Sequence, residues 1–442
     1  MDFSYDLFSR LYGTDEHTLA VQKARYTNLA EQWYKRFEDG TPHTQNTGTP
    51  VLRFFSSPGR SEIGGNHTDH NLGKVLAASI AQDCIAAVQA SDDNTVSIYD
   101  ITYNQNFGID TSDTECRKDE KGSPALIRGM LQGFKNAGYK VGGFKACVTS
   151  DVIPAAGVSS SASFEMLICL ILNNLYNEGK IPPAALPAIG QFAENAYWNK
   201  KSGLLDQTAC AIGGLIAIDF KDPKKPLIEK VNFDFAKEGY ELVIVNTGSG
   251  HADLSEEYSA IPAEMKAVAA CLGKTHLREL SFDDVYNQTG MIRKKCGDRA
   301  VLRALHFFEE NRRVDAQIAA LKAGDFRGFL KLIEESGNSS WKWLQNICVG
   351  GIPREQPVAV CLALTEHFLR EKGCGSCRVH GGGFAGVIQV FIPSKLCTEY
   401  RSYMENALEY KEGAGKSPVF VMGIRPVGAV EIDVQRTPRL FD

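Results

Sequence analysis

Residues 163–176 carry apolar side chains on nearly every face of the helix their spacing predicts, the pattern of a helix enclosed by other elements. The longest apolar run within it, 166–172, is far too short to cross a bilayer. The surrounding sequence supplies partners of mixed type. Leu19, Val21, Tyr26, Leu29, Trp33 and Phe37 predict a helix over 16–38, stopped by Asp39-Gly40. Short β-branched and aromatic runs at 51–55, 85–88 and 95–99 predict strands. Ser123 as N-cap with Pro124 behind it predicts a helix reaching Gly138, followed by a strand at 144–149 and a helix at 184–198.

These elements form an α+β unit that ends near the turn Asp222-Pro223-Lys224-Lys225. Beyond it come a strand at 240–246, helical periodicity over 298–332 broken at Gly324-Asp325, a helix at 358–371, and strands at 387–392 and 419–422. The reading is of two mixed domains of similar size, 1–228 and 229–442, with a ligand cleft between them.

With 43% hydrophobic and 23% charged residues in 442, the chain is ordinary for a compact soluble protein. A formal charge of -5 and the lack of a Lys/Arg block argue against general nucleic-acid binding. Residues 1–10 mix Asp2, Asp6 and Arg10 with aromatics, which is not the order of a signal peptide, so the expectation is a cytoplasmic protein without a membrane partner. The twelve cysteines lie singly apart from Cys374 and Cys377; a zinc site would need two more ligands, and Cys361 and Cys397 are poorly spaced for it.

Four segments carry chemistry. In Pro58-Gly59-Arg60-Ser61-Glu62-Ile63-Gly64-Gly65-Asn66-His67-Thr68-Asp69-His70, polar groups crowd between glycines. A carboxylate such as Asp69 can accept two bonds from vicinal hydroxyls while His67 and Asn66 complete the pattern, which suits a sugar; a polar turn with Asx-type bonds is the alternative. In Gly157-Val158-Ser159-Ser160-Ser161-Ala162-Ser163, small residues open the apolar helix, where free N–H groups suit phosphate or a serine simply caps the helix. In Glu194-Asn195-Ala196-Tyr197-Trp198-Asn199-Lys200-Lys201-Ser202-Gly203-Leu204-Leu205-Asp206-Gln207, the Asp206 carboxylate sits beside apolar residues, as a structural ion pair or a catalytic group. The fourth, His380-Gly381-Gly382-Gly383-Phe384, demands backbone freedom at successive positions.

In this order, the segments resemble the GHMP small-molecule kinases, and among them the galactokinase family, from about residue 50 to the carboxyl terminus. Residues 245–254 with Tyr258, and a helical hairpin over 303–336, fit the same family. The resemblance implies a ribosomal-protein-S5-like amino-terminal lobe and a ferredoxin-like carboxyl-terminal lobe. It implies transfer of a phosphoryl group from magnesium-ATP to the anomeric hydroxyl of a galactose-like hexose by a monomer. By position, Asp206 is the catalytic carboxylate and Arg60 its cationic neighbour; Asn66, His67, Asp69 and Tyr258 contact sugar. Gly157, Ser159, Ser160, Ser161 and Ala162 form the phosphate loop, and Ser161 and Glu194 are the Mg2+ ligands.

The chain departs from that family at Ala155 and Ala156, where glycine is usual, and at Asn66 and His70, which replace glutamate and tyrosine. Loss of the glutamate removes a charge that would repel a C6 carboxylate. Related C1 kinases for galacturonate, N-acetylgalactosamine or L-arabinose, and a sugar sensor without turnover, are the competing readings; a sensor has no need of Asp206 and Arg60.

Overall fold

The computed structural model describes residues 2–38, 52–153, 157–200, 202–248, 254–350, 354–410 and 417–435. The chain is built around two sheets. In the first, the strand Arg53–Gly64 lies between Val430–Ile432 and the long strand Lys74–Ser91; Gly143–Ser150, Thr95–Asp100 and Gln105–Asp110 follow in that order. The two halves of Lys74–Ser91 have different partners: residues 84–91 pair with Gly143–Ser150, and residues 74–78 with Leu215–Asp219. The second sheet is wholly antiparallel, in the order Ser376–His380, Val387–Pro393, Tyr240–Asn246 and Val419–Met422.

Period-two alternation explains why the first sheet is covered on both faces. Phe55, Ala86 and Val88 face one core, with Phe134, Phe144 and the helix Ser160–Tyr176. Phe54, Ile85 and Ala87 face the other, beneath Tyr26, Leu29 and Trp33 of the helix Glu16–Phe37. The apolar helix is enclosed as its composition requires: residues 162–173 are all buried. Each fully buried phenylalanine or leucine here contributes about 1.5–3 kcal/mol relative to exposure.

Several elements match the sequence reading closely. Helices span Ser123–Asn136, Leu186–Tyr197 and Pro357–Lys372; the expected N-cap role of Ser123 is corrected, since Gly122 is the N-cap and Ser123 the first helical residue. The hairpin is Asp298–Lys322 with Phe326–Ser339. It turns at Gly324, whose φ is +72°, and Asp325 caps the second helix by accepting from the Gly328 N–H. The stop at Asp39-Gly40 lies outside the described residues.

Three features go beyond the sequence reading. Residues 58–64 are strand rather than loop: Pro58 and Gly59 look like a turn in sequence, but they sit at a register shift in the pairing with Lys74–Ser91, where a bulge tolerates them. The turn at 222–225 joins two paired strands, Leu215–Asp219 and Leu227–Val231, and so lies inside the first sheet rather than at its end. Near the carboxyl terminus, Val430–Ile432 pairs with residues 54–56 of the first sheet, and Val434–Gln435 with Asp2–Phe3. Among the described residues no helix is long and apolar enough to cross a membrane.

Candidate active site

The strand Arg53–Gly64 delivers Arg60 beneath the start of the helix Ser160–Tyr176. The backbone locks the two together, since Arg60 N–H donates to Val158 O at 3.1 Å. The Arg60 guanidinium then holds both other segments: Nε is 2.8 Å and Nη2 2.7 Å from Asp206 Oδ1, and Nη1 donates to Gly157 O. Asp206 lies in the first turn of the helix Leu205–Ile212, and its second oxygen, Oδ2, accepts from Ser159 Oγ. Burial alone would raise the Asp206 pKa, but Arg60, Lys200 and the Ser159 hydroxyl outweigh it and hold the carboxyl below its usual value. Burial works against the charge of Arg60 too, and Asp206 more than compensates.

The helix begins three residues earlier than its apolar pattern indicates, and this decides the roles of the serines. Ser159 occupies the N-cap position with φ +58° and does not cap with its side chain, which is turned to Asp206. Ser160 opens the helix and Ala162 is fully buried. Ser161, inside the first turn, points its Oγ to Glu194 Oε1 at 2.9 Å, so the capping alternative does not apply to it. Lys200 Nζ sits against both, 2.5 Å from Glu194 Oε1 and 3.0 Å from Ser161 Oγ.

The pair of hard oxygens, already occupied by an ammonium, fits Mg2+, a cation that takes one or two protein ligands and completes its shell from phosphates and water. Behind Glu194, Gln207 donates to its Oε2 at 3.2 Å and to Glu165 Oε2 at 2.9 Å. Burial, then Glu194, pushes the Glu165 carboxyl well above its usual value. Sequence reasoning missed Lys200, Glu165 and Gln207 as parts of this cluster. Lys200 gave no separate signal in sequence; Gln207 was visible only as the neighbour of Asp206.

The residues expected at the sugar divide. His67, held at φ +58°, donates from Nε2 to Gly382 O at 2.9 Å, which leaves Nδ1 as an acceptor. Burial, then His70, pushes its pKa down to about 3, so the ring is neutral. Tyr258 lies 6.2 Å from it, ring centre to ring centre, and fills the space a side chain on Gly382 would need. Asp69 faces Gly203, where a Cβ would strike its Oδ2, so the absence of a side chain there lets the first and third segments meet. A cavity of about 290 Å³ opens beside Asp69 and Gly203, lined also by His70, Asn195 and Lys266.

Asn66 does not join them. It is fully buried; its Nδ2 donates to Gly381 O at 2.6 Å and to Glu62 Oε1 at 3.2 Å, and its Oδ1 accepts from Asn346 Nδ2 at 2.9 Å. These bonds engage the amide inside the protein, away from the Asp69 and Gly203 contact. Residues 154–156, with the alanines that replace the usual glycines, and residues 249–253 lie outside the described residues. No group of three or more His, Cys, Asp or Glu among the described residues is arranged to hold a metal, and Cys374 and Cys377 are free thiols.

Three of the four segments also lie within matches to known families. The galactokinase galactose-binding signature matches residues 42–90, and the GHMP kinases N terminal domain matches residues 125–214. The galactokinase of Streptomyces coelicolor is 29% identical over 349 residues, 76% of this chain and 84% of that one. The galactokinase of Lactococcus lactis subsp. cremoris is 28% identical over 396 residues, 88% of this chain and 94% of that one. The crystal structure of Lactococcus lactis galactokinase complexed with galactose superimposes with a TM-score of 0.76 at 25% identity, covering 92% of this chain and 99% of the other. A mevalonate kinase structure, at 13% identity and a TM-score of 0.56, shares the fold over 84% of this chain and 98% of its own. In motif order, fold and relatives alike, the chain is similar to the galactokinases among the GHMP kinases.

Proposed function

We propose that the chain transfers a phosphoryl group from ATP to the anomeric C1 hydroxyl of galactose, giving galactose 1-phosphate and ADP. The observation that carries this reading is the Arg60–Asp206–Ser159 cluster at the mouth of a helix amino terminus. A sugar-binding module has no use for a buried carboxylate kept ionised by an arginine beside a phosphate-binding turn. The galactokinase relatives and the galactose-bound neighbour supply the sugar.

Asp206 takes the proton of the attacking hydroxyl at Oδ2, because Oδ1 is committed to Arg60 while Oδ2 is shared only with the Ser159 hydroxyl. Arg60 keeps the carboxylate ionised before transfer and steadies negative charge during it. The helix N–H groups at 159–161 cradle phosphate oxygens. Ser161 Oγ and Glu194 Oε1 would hold Mg2+, which supplies neutralisation of the triphosphate. His67 Nδ1, Asp69 and Tyr258 orient the hexose so that C1 faces the base.

The division into lobes at about residue 228 is kept as a proposal for two functional units around the cleft, with the terminal strands returning to the first. A coupled ADP-release assay with galactose tests the function. Sugar-dependent ADP release supports it; binding of galactose and ATP without release would favour a sensor.

A further inference from the structure

His380 ends the strand Ser376–His380 and is 2% exposed. Its ring is fixed by what surrounds Nε2. The backbone N–H of Glu62 donates to Nε2 at 3.2 Å, so that nitrogen presents a lone pair. Ser61 Oγ, 2.9 Å away, accepts from Gln389 Nε2 at 3.0 Å and turns its own proton to the same nitrogen. Gln389 is oriented in turn by Arg378, whose Nε donates to Gln389 Oε1 at 3.2 Å. The ring proton therefore sits on Nδ1. Burial, then Arg60 and Arg378, keeps the His380 pKa well below its usual value, in keeping with one proton on the ring.

Among the described residues Nδ1 has no hydrogen-bond partner. It faces Gly157: a Cβ on that glycine would stand 3.1 Å from Nδ1, directly over the donor. Gly157 has φ +64°, and its carbonyl is held by Arg60, so the turn that leads into the helix Ser160–Tyr176 keeps its bare Cα over the imidazole. A buried N–H without an acceptor is unfavourable and calls for one. The acceptors expected at this turn are anionic oxygens.

We propose that His380 is a phosphate-binding residue, donating from Nδ1 to an oxygen of the nucleotide triphosphate held at residues 157–161. The proposal rests on the kinase reading above. As a neutral donor, His380 adds a directed bond beside Arg60 without a second positive charge that would compete for Asp206.

The test separates the two ring nitrogens. In His380→Gln, an amide oxygen can take the position of Nε2 and keep the bonds from Glu62 and Ser61, but nothing replaces Nδ1–H. In His380→Asn, the amide nitrogen stands where Nδ1 was, and the Nε2 acceptor is lost. Binding of a non-hydrolysable ATP analogue is measured by equilibrium titration, beside KM for ATP, KM for galactose and melting temperature. His380→Gln is expected to weaken analogue binding and raise KM for ATP roughly tenfold, with KM for galactose within about twofold. His380→Asn should recover most of the nucleotide affinity despite a lower melting temperature.

Unchanged analogue affinity in His380→Gln, or a rise confined to KM for galactose, overturns the proposal. A measurement on the unaltered protein needs no variant to fold: the histidine Nδ1–H resonance should move on adding the analogue, and a resonance indifferent to it also overturns the proposal. If the unaltered protein binds no nucleotide and releases no ADP, it is the kinase reading itself that has failed.

Discussion

The side of this site proposed for phosphate and the side proposed for sugar are built differently. On the phosphate side, Arg60, Asp206, Ser159, Ser161, Glu194 and Lys200 come from separate segments and meet as charged or hydroxyl partners. Removing Arg60 leaves the buried Asp206 carboxylate without its closest cation. On the sugar side, His67 leans on a backbone carbonyl, Asp69 is packed against a glycine, and Asn66 is tied into the interior through Glu62, Gly381 and Asn346. Charge pairing thus builds the half proposed for the reaction, whereas backbone contacts and shape build the half proposed for the sugar. Residue type alone reports well on the first and poorly on the second.

The contrast is broken most directly at Asp206. Asp206→Asn keeps the shape but cannot take a proton, so kcat should fall about 100-fold to 10,000-fold with both substrates still bound. Turnover within about threefold of the parent would remove Asp206 from the chemistry. Arg60→Ala acts through the same carboxylate. Asp206 must be ionised to accept a proton, so activity is lost as pH falls through its pKa. Arg60 is the largest influence holding that pKa down against burial, and its removal should shift the acidic limb of the pH–rate profile to higher pH. An acidic limb that stays put would break the pairing.

A smaller effect is expected at the cation ligands. Ser161→Ala and Glu194→Gln should weaken use of ATP, with partial recovery at raised magnesium, as follows when a hard cation loses an oxygen. Ser161 is not the helix cap, so Ser161→Ala should not show the loss of about 1 kcal/mol that a lost cap brings. Magnesium titration beside thermal melting distinguishes the two, and an unaltered magnesium dependence in both variants would remove the ligands from the account.

The least effect on turnover is expected at Asn66. Asn66→Glu sets a second carboxylate beside buried Glu62 and removes the donor to Gly381, so it should lower stability by about 1–3 kcal/mol without sharpening discrimination at C6. Unaltered melting with a changed ratio of galactose to L-arabinose turnover would return Asn66 to the sugar and erase the difference between the two sides.

What the sequence revealed follows the same line. The helix Ser160–Tyr176 and the hairpin 298–339 were legible because a period of 3.6 is a local signal. The strand Val430–Ile432 was not, since three residues carry no period and the strand exists through pairing with residues 54–56. Pro58 and Gly59 concealed a continuous strand because a bulge and a turn use the same residues. Arg60 and Asp206 meet across 146 positions, and only the order of motifs hinted at it. The inward turn of Asn66 depends on Asn346 and Gly381, which no local pattern links to it.

The central claim is that the Arg60–Asp206 pair makes this chain a galactose C1 kinase, and ADP release across galactose, galacturonate, N-acetylgalactosamine and L-arabinose tests it most directly. The account predicts release with galactose, made in equal amount with galactose 1-phosphate and abolished in Asp206→Asn. Galactose binding without ADP, or release only with one of the other sugars, would contradict it.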